Sequence, residues 1–278
     1  MPELPEVQTI VNNLNDLALA GRFITAASVY WSKTISGQTP GEFVEKICGC
    51  KIRRISRRGK YMVFTLSAPW TLLVHLRMTG RLNWETGDRS RGKHEHVILQ
   101  IDGKHELRFQ DTRKFGRMTL TARPETVLEK LGPEPLERSF TAERFSRLLH
   151  RHHRAVKPLL LDQTFVAGLG NIYVDEALWK AGLHPLRVSS SLSPKEAAGL
   201  HRAVRYVLRK GLRNLGTTLG RGQTNFYSLS GSRGRNAEKL FVFRRTGEAC
   251  PRCGTPIERI KVAQRSSHVC PRCQHPRG

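Results

Sequence analysis

The first residues of the chain, Met1-Pro-Glu-Leu-Pro-Glu6, bring together an amine and two carboxyls. Pro2 is small enough for removal of Met1 to be expected, and removal would expose a secondary amine. A terminal α-amine with a pKa near ~8 is roughly a tenth neutral at pH 7, whereas a lysine near ~10.4 is less than ~0.1% neutral. The terminal amine is therefore the more available nucleophile toward a carbonyl-type carbon. Attack on a sugar C1′ gives a Schiff base, a route that needs an acid to protonate the ring oxygen or the leaving group. Glu3 and Glu6 are the acids at hand, three residues apart and so neighbours on one helical face. The same two acids would equally complement the positive end of a helix dipole, and the residues alone leave both readings open.

A second constellation lies at the other end. Cys250-x2-Cys253, sixteen intervening residues and Cys270-x2-Cys273 have the spacing of a tetrahedral four-cysteine zinc ribbon. Four protein ligands leave no open position, so one structural Zn2+ is expected, and chelation should unfold the ribbon. Cys48 and Cys50 read as ordinary buried thiols. The segment between the cysteine pairs, Ile257–Ile260 and Lys261–Gln264, suits two hairpin strands.

The charge says what these groups could act on. Forty-seven Lys+Arg against 23 Asp+Glu leave a net +24, with a pI near 10.7, which favours a polyanion and points first to nucleic acid. Lys51–Lys60 holds six cations and ends in Arg58-Gly-Lys60, a turn from which a lysine can point into a cleft. His150–Arg154 with Lys157, and Arg265–His268, form two further basic clusters. Three patches on three modules suggest one phosphate-binding groove. Gly168-Leu-Gly-Asn171 would let a backbone approach closely, with Asn171 capping the next helix, although a plain interhelical turn fits as well. No apolar run approaches the ~18 residues of a membrane span, and the N-terminus lacks the basic and apolar regions of a secretory signal. A cytoplasmic protein is expected.

These groups need elements to hold them. Leu4, Val7, Ile10, Val11 and Leu14 fall at helical intervals, with Pro2 in a position that a first turn tolerates. From Phe23 to about Leu120, β-type runs (Thr25–Tyr30, Tyr61–Leu66, Thr71–Leu76, Val97–Ile101, Met118–Leu120) alternate with turns, which predicts an antiparallel sandwich or flattened barrel. After Leu131-Gly-Pro-Glu-Pro-Leu136 the pattern becomes helical, with helices expected at Ala142–His150, Val156–Asp162, Asn171–Ala181 and Pro194–Asn214. Residues 220–238 read as a mobile loop, and Lys239–Arg245 as a strand leading to the cysteines.

With those residues in view, the chain resembles the formamidopyrimidine-DNA glycosylase family over nearly its whole length. The carriers are Met1-Pro-Glu-Leu-Pro-Glu-Val7, Arg58-Gly-Lys60, His75-Leu-Arg-Met-Thr-Gly80, Lys93-His-Glu-His96, Asp111-Thr-Arg-Lys-Phe-Gly116, Gly132-Pro-Glu-Pro-Leu136, Gly168-Leu-Gly-Asn-Ile-Tyr173 and Gln264-Arg-Ser-Ser-His-Val-Cys-Pro-Arg-Cys273. The resemblance implies an α+β multidomain fold. Its parts are a two-layer antiparallel β-sandwich with an opening helix (1–135), a helix-two-turns-helix domain (136–225), and the mobile loop end with a zinc finger (226–278). It implies double-stranded DNA carrying an oxidised base as partner; no membrane partner is expected from the apolar pattern, and a monomer is expected because the sequence shows no obvious apolar oligomer patch. The damaged nucleotide would be flipped out, because C1′ cannot be attacked inside the stack. By carry-over Pro2 is the nucleophile, Glu3 the general acid, Glu6 a supporting acid, Lys60 an aid to β-elimination, and Arg265 a phosphate clamp that assists δ-elimination. Met78, Arg113 and Phe115 correspond to the wedge that fills the vacated stack. His94, Lys157 and Asn171, with His152, match backbone contacts.

The chain departs from the family pattern twice. Gln8 stands where the motif usually has glutamate, and Gly234-Arg-Asn236-Ala237 replaces the usual Gly, aromatic and Gln at the end of the lesion-covering loop. The activity implied is excision of oxidised purines followed by β,δ-elimination at the abasic site. Two alternatives stay open: an endonuclease-VIII-type enzyme for oxidised pyrimidines, against which Leu4 argues, and a non-catalytic zinc-ribbon protein that binds damaged DNA.

Overall fold

The computed structural model describes residues 1–220, 226–229 and 231–276, which form two compact units. One contains Met1–Glu129 and Asn214–Arg235, and the other Lys130–Arg213 and the segment from Asn236 onward. The ribbon clusters with the helices, and the stretch 214–235 clusters with the N-terminal unit. Residues 221–225 and 230 of the expected mobile loop lie outside the described residues.

The first unit opens with helix α1 (Leu4–Asp16). Its N-cap is Glu3 and Pro5 lies in its first turn, so Pro2 precedes the helix instead of sitting inside it. Leu4, Val7, Ile10, Val11 and Leu14 are all buried, as their spacing requires, and each such side chain contributes about 1.5–3 kcal/mol. Two four-stranded antiparallel sheets follow. One has the order β1 (Ile24–Val29), β6 (Glu95–Ile101), β7 (His105–Asp111), β5 (Gly80–Thr86). The other runs β2 (Ile52–Arg58), β3 (Tyr61–Leu66), β4 (Thr71–His75), β8 (Arg117–Thr121). The expected sandwich is present. Its core joins Val7, Ile10 and Leu14 of α1 to Ile52, Phe64, Leu72, Leu99 and Phe109 of the strands.

Strands β2, β5 and β7 lie outside the runs expected from apolar pattern. β2 exposes Arg53 and Arg54 and buries only Ile52 and Ile55 fully. β7 carries Arg108 into the interior, where Glu95 and Glu106 pair with it. Helix α2 (Pro40–Ile47) also went unpredicted, although its capping box is legible: Glu42 N–H donates to Thr39 Oγ1 (3.3 Å) and Thr39 N–H to Glu42 Oε2 (2.8 Å). A short helix α3 (Glu125–Leu128) ends this run.

The second unit holds α4 (Ala142–His150), α5 (Val156–Leu161), α6 (Asn171–Ala181) and α7 (Pro194–Arg213), within a residue of expectation, and the hairpin β9 (Glu258–Val262) and β10 (Arg265–Val269). The two ribbon strands begin later than predicted, and Ala263 and Gln264 form the turn, both with left-handed backbone. Lys239–Arg245 is not a strand. The N–H groups of Phe241, Val242 and Phe243 all donate to the buried Glu176 carboxylate of α6, at 2.8–3.0 Å, so they have no need of a neighbouring strand. Among the described residues no helix is long and apolar enough to cross a membrane.

Candidate functional site

The head of α1 is built around Glu6. Its Oε2 accepts from the Glu3 N–H at 2.8 Å and its Oε1 from the Thr217 N–H at 2.7 Å. Both oxygens of Glu6 thus serve structure, which gives the helix-terminus reading of this acid its physical content. Pro2 and Glu3 are buried with it. Gln8, the departure from the usual glutamate, accepts from Arg57 Nε at 3.0 Å and so links α1 to the end of β2.

Lys60 is placed by the two-residue turn joining β2 to β3, where Arg58 pairs with Tyr61 and Gly59 takes a left-handed φ of 55°. Its side chain is buried. The His75 ring lies edge-on to Tyr61, with centroids 4.7 Å apart. Burial, then the charges of Arg77 and Lys60, push the His75 pKa down to about 3. His75 is therefore neutral, and its Nδ1 accepts from the Arg77 N–H at 3.0 Å.

The wedge residues stand on two turns. Met78 and Phe115 are exposed by 42% and 46%, unusual for side chains of that size. The turn bearing Arg113 and Phe115 is held by buried Asp111, which accepts from Arg113 N–H (3.1 Å), Gly116 N–H (2.7 Å) and the Thr79 hydroxyl. Gly116 is required there, because a Cβ would come within 2.3 Å of the Phe109 ring. The Arg113 guanidinium lies 5.0 Å from the Phe115 ring centre. His94 sits on a loop anchored by Glu95, which binds the Gly92 N–H (2.8 Å) and Arg108 (3.0 Å).

In the second unit the structure revises two expectations. Lys157 is fully buried and donates to Asp175 Oδ1 (2.6 Å) and to the Ser266 carbonyl (2.8 Å), so its cation is not presented to a phosphate. Asn171 does not cap α6, since Gly170 is the N-cap; its Nδ2 donates to the same Ser266 carbonyl at 2.9 Å. Both residues position the hairpin next to Arg265. Asp175 completes the hold, its Oδ2 accepting from His268 N–H (2.9 Å) and facing His268 Nδ1 (3.1 Å). Arg265 itself is exposed and lines a cavity of about 640 Å³ together with Arg244 and Arg259. His152 lies on the turn after α4, its ring edge-on to Phe165 at 5.4 Å, apart from the Arg265 cavity.

Cys250, Cys253, Cys270 and Cys273 place their sulfurs within 4.8 Å of one another. Four thiolates at a Zn–S distance of ~2.3 Å would lie ~3.8 Å apart, so the set fits one zinc ion. Hydrogen bonds from Thr255 hold Cys253 down to about 6, while burial pushes Cys273 up to about 12, and a divalent ion would hold both as thiolates. Trp179 of α6 donates its indole N–H to Cys250 Sγ at 3.3 Å and stacks on Phe241, which ties the metal site to the helical layer.

Profiles of three domains match this chain in order: the formamidopyrimidine-DNA glycosylase N-terminal domain at residues 1–118, the H2TH domain of the same enzymes at 131–221, and a zinc finger found in these enzymes and in IleRS at 247–276. The chain belongs to the formamidopyrimidine-DNA glycosylase family. The formamidopyrimidine-DNA glycosylase of Protochlamydia amoebophila is 47% identical over 259 residues, spanning 93% of this chain and 94% of that one. The Herpetosiphon aurantiacus protein of the same name is 45% identical over 261 residues, 93% and 94% of the two chains. Among solved structures, Lactococcus lactis Fpg bound to DNA containing an abasic site superposes with a TM-score of 0.90 at 35% identity, covering 98% of this chain and 99% of that one. The wild-type Lactococcus lactis protein bound to DNA with an oxidised pyrimidine gives 0.89 at 36% identity over 99% and 100%.

Asp111, Asp175, Glu176 and His75 carry much of this geometry, yet none was singled out from sequence. Asp111 and His75 stand inside motifs that were read for their neighbours. For Asp175 and Glu176 the signal was their position between Val174 and Ala177, a place where a carboxylate persists only when several N–H groups meet it.

Proposed function

We propose that this protein is a base-excision repair enzyme that removes oxidised purines from double-stranded DNA and then cleaves the strand at the abasic site. The observation that carries the reading is the arrangement at the head of α1, where Glu6 is committed to two backbone N–H groups and Glu3 follows directly on Pro2. Glu3, whose side chain accepts from the Glu6 backbone N–H in the reciprocal half of the capping box, is the acid adjacent to the nucleophile in sequence.

After removal of Met1, the Pro2 nitrogen attacks C1′ of an extruded nucleotide. The C1′–N bond breaks and its electron pair leaves with the base, which takes up a proton. Glu3 protonates the ring oxygen as the C1′–O4′ bond opens, leaving a Schiff base on Pro2. Loss of a C2′ proton then expels the 3′ phosphate, a β-elimination favoured by the cation of Lys60, and a second elimination releases the 5′ phosphate. Met78, Arg113 and Phe115 occupy the gap left by the flipped nucleotide. Arg265 holds backbone phosphate, and the zinc ion keeps its hairpin folded without taking part in the chemistry. The protein acts as a monomer in the cytoplasm, on the nucleoid.

Borohydride trapping tests this on duplexes containing 8-oxoguanine opposite cytosine. Wild type should form a covalent adduct, Pro2→Gly much less, and Glu3→Gln should bind DNA without excising the base. Oxidised-pyrimidine DNA is the second substrate to try, because the Lactococcus lactis relative has been solved with such DNA. An adduct on that substrate alone would move the assignment to oxidised pyrimidines. No adduct on any substrate, abasic DNA included, would leave a DNA-binding protein.

A further inference from the structure

Beside the wedge, the first unit carries a strip of alternating rings and cations. Lys114, in the turn between Arg113 and Phe115, places its Nζ 3.9 Å from the centre of the Trp31 ring. Lys33 approaches the same ring at 5.9 Å, and the guanidinium of Arg91 lies 4.3 Å from the ring centre of the adjacent Tyr30. The two segments are tied together, since the Ser36 N–H donates to the Met118 carbonyl at 2.9 Å. Tyr30 is 50% exposed, and Lys33, Arg91 and Lys114 are exposed with it. Tyr30–Ser36 and Thr112–Arg117 together contain Lys33, Arg113, Lys114 and Arg117 and no acid.

We propose that this strip, from Phe115 through Lys114, Trp31 and Lys33 to Tyr30 and Arg91, is a second DNA-contact surface that takes unpaired nucleotides. It follows that the protein prefers lesions lying next to a junction of double- and single-stranded DNA. The inference rests on the reading of the protein as a damaged-DNA enzyme and extends it to the form of DNA it selects. Interleaving is the reason for choosing unpaired nucleotides. A surface that only follows a duplex backbone needs cations, because paired bases keep their faces inside the stack. Exposed rings set between cations match a single strand, whose bases stack on aromatic side chains while its phosphates meet the charges.

The test compares equilibrium binding of the full protein to a lesion duplex with blunt ends and to the same duplex carrying a ten-nucleotide extension, 3′ or 5′, near the lesion. One stacked base should make the extended duplex bind about tenfold tighter for one of the two polarities. Tyr30→Ala should abolish that preference, and Lys33→Ala should reduce it and its salt dependence. In both variants excision from the blunt duplex and the melting temperature should stay at wild-type values, which separates failure of this proposal from failure of the catalytic reading. Equal wild-type affinity for blunt and extended duplexes of both polarities would overturn it. So would a Lys33→Ala loss shared equally by blunt and extended DNA with no effect of Tyr30→Ala, because that marks a duplex-backbone contact.

Discussion

Glu6, in the first turn of α1, accepts a 2.7 Å hydrogen bond from the backbone N–H of Thr217, 211 residues further along the chain. Its second oxygen holds the Glu3 N–H, so one carboxylate fixes both the acid beside Pro2 and the start of the 214–235 stretch. Replacing it by glutamine keeps the volume but turns an NH2 group toward one of two buried N–H donors. A buried donor left unpaired costs about 1–3 kcal/mol. Glu6→Gln should therefore lower the unfolding free energy by that amount, read as a lower urea midpoint with an unchanged m-value, and slow single-turnover excision at least about tenfold. Wild-type rates in this variant would show that Glu3 does not depend on Glu6 for its position.

Asp111 offers a second test of positioning. It holds the Arg113 and Gly116 N–H groups and receives the Thr79 hydroxyl, so Asp111→Ala frees the turn that carries Arg113 and Phe115. A paired lesion must be extruded before it is cut, whereas an abasic nucleotide has no base to extrude. Excision from the paired lesion should then fall by one to two orders of magnitude more than cleavage at a preformed abasic site. Equal losses on the two substrates would place Asp111 outside base extrusion.

Elements and site residues differed in how far they could be read from sequence. α1, β3, β4 and the four helices of the second unit follow from apolar spacing, because each buries one continuous stripe or run. β2, β5 and β7 were missed because their pairing partners, not their own apolar content, decide them, as the internal Arg108 of β7 shows. Lys157 was read as a phosphate contact from its charge and family position. What the sequence did not reveal is that Asp175, eighteen residues away, meets it in the interior. The four cysteines needed no such context, since their spacing alone specifies a metal site.

Lys157 and Arg265 should behave as opposites. Lys157→Met leaves Asp175 buried without its cation, which costs about 3–5 kcal/mol and loosens the hairpin that Ser266 anchors. Its DNA affinity should fall together with stability. Arg265→Ala removes an exposed guanidinium, so stability should hold while the slope of log affinity against log salt drops by about one. An unchanged slope in Arg265→Ala would mean that this arginine meets no phosphate.

Zinc removal should look like a deeper version of the Arg265 loss. Cys250 sulfur accepts from the Trp179 indole N–H, so the metal site is joined to α6 and its departure should be visible in tryptophan fluorescence. Chelation is expected to abolish tight binding to lesion DNA and to change the emission in parallel, and added Zn2+ should restore both. Intact binding after verified metal loss would separate the hairpin from DNA recognition.

The buried imidazole of His75 gives a pH dependence whose sign can be worked out. Burial and the charges of Arg77 and Lys60 push its folded pKa down to about 3, from an unfolded value near 6.5. Between those values the unfolded chain binds a proton that the folded chain refuses, so stability falls as the pH is lowered through this window. Above about 6.5 the full contribution is present, and the loss amounts to about 1.4 kcal/mol per pH unit below it. Burial also pushes His184 and His201 down, so the wild-type slope contains their share as well. His75→Asn keeps an acceptor for the Arg77 N–H and removes the titration together with the ring contact to Tyr61, a loss that does not vary with pH over this range. Urea unfolding at pH 7, 6 and 5 should give a stability difference between wild type and this variant that narrows toward the acid side. A constant difference across the three pH values would mean that the imidazole titrates alike in the folded and unfolded chains.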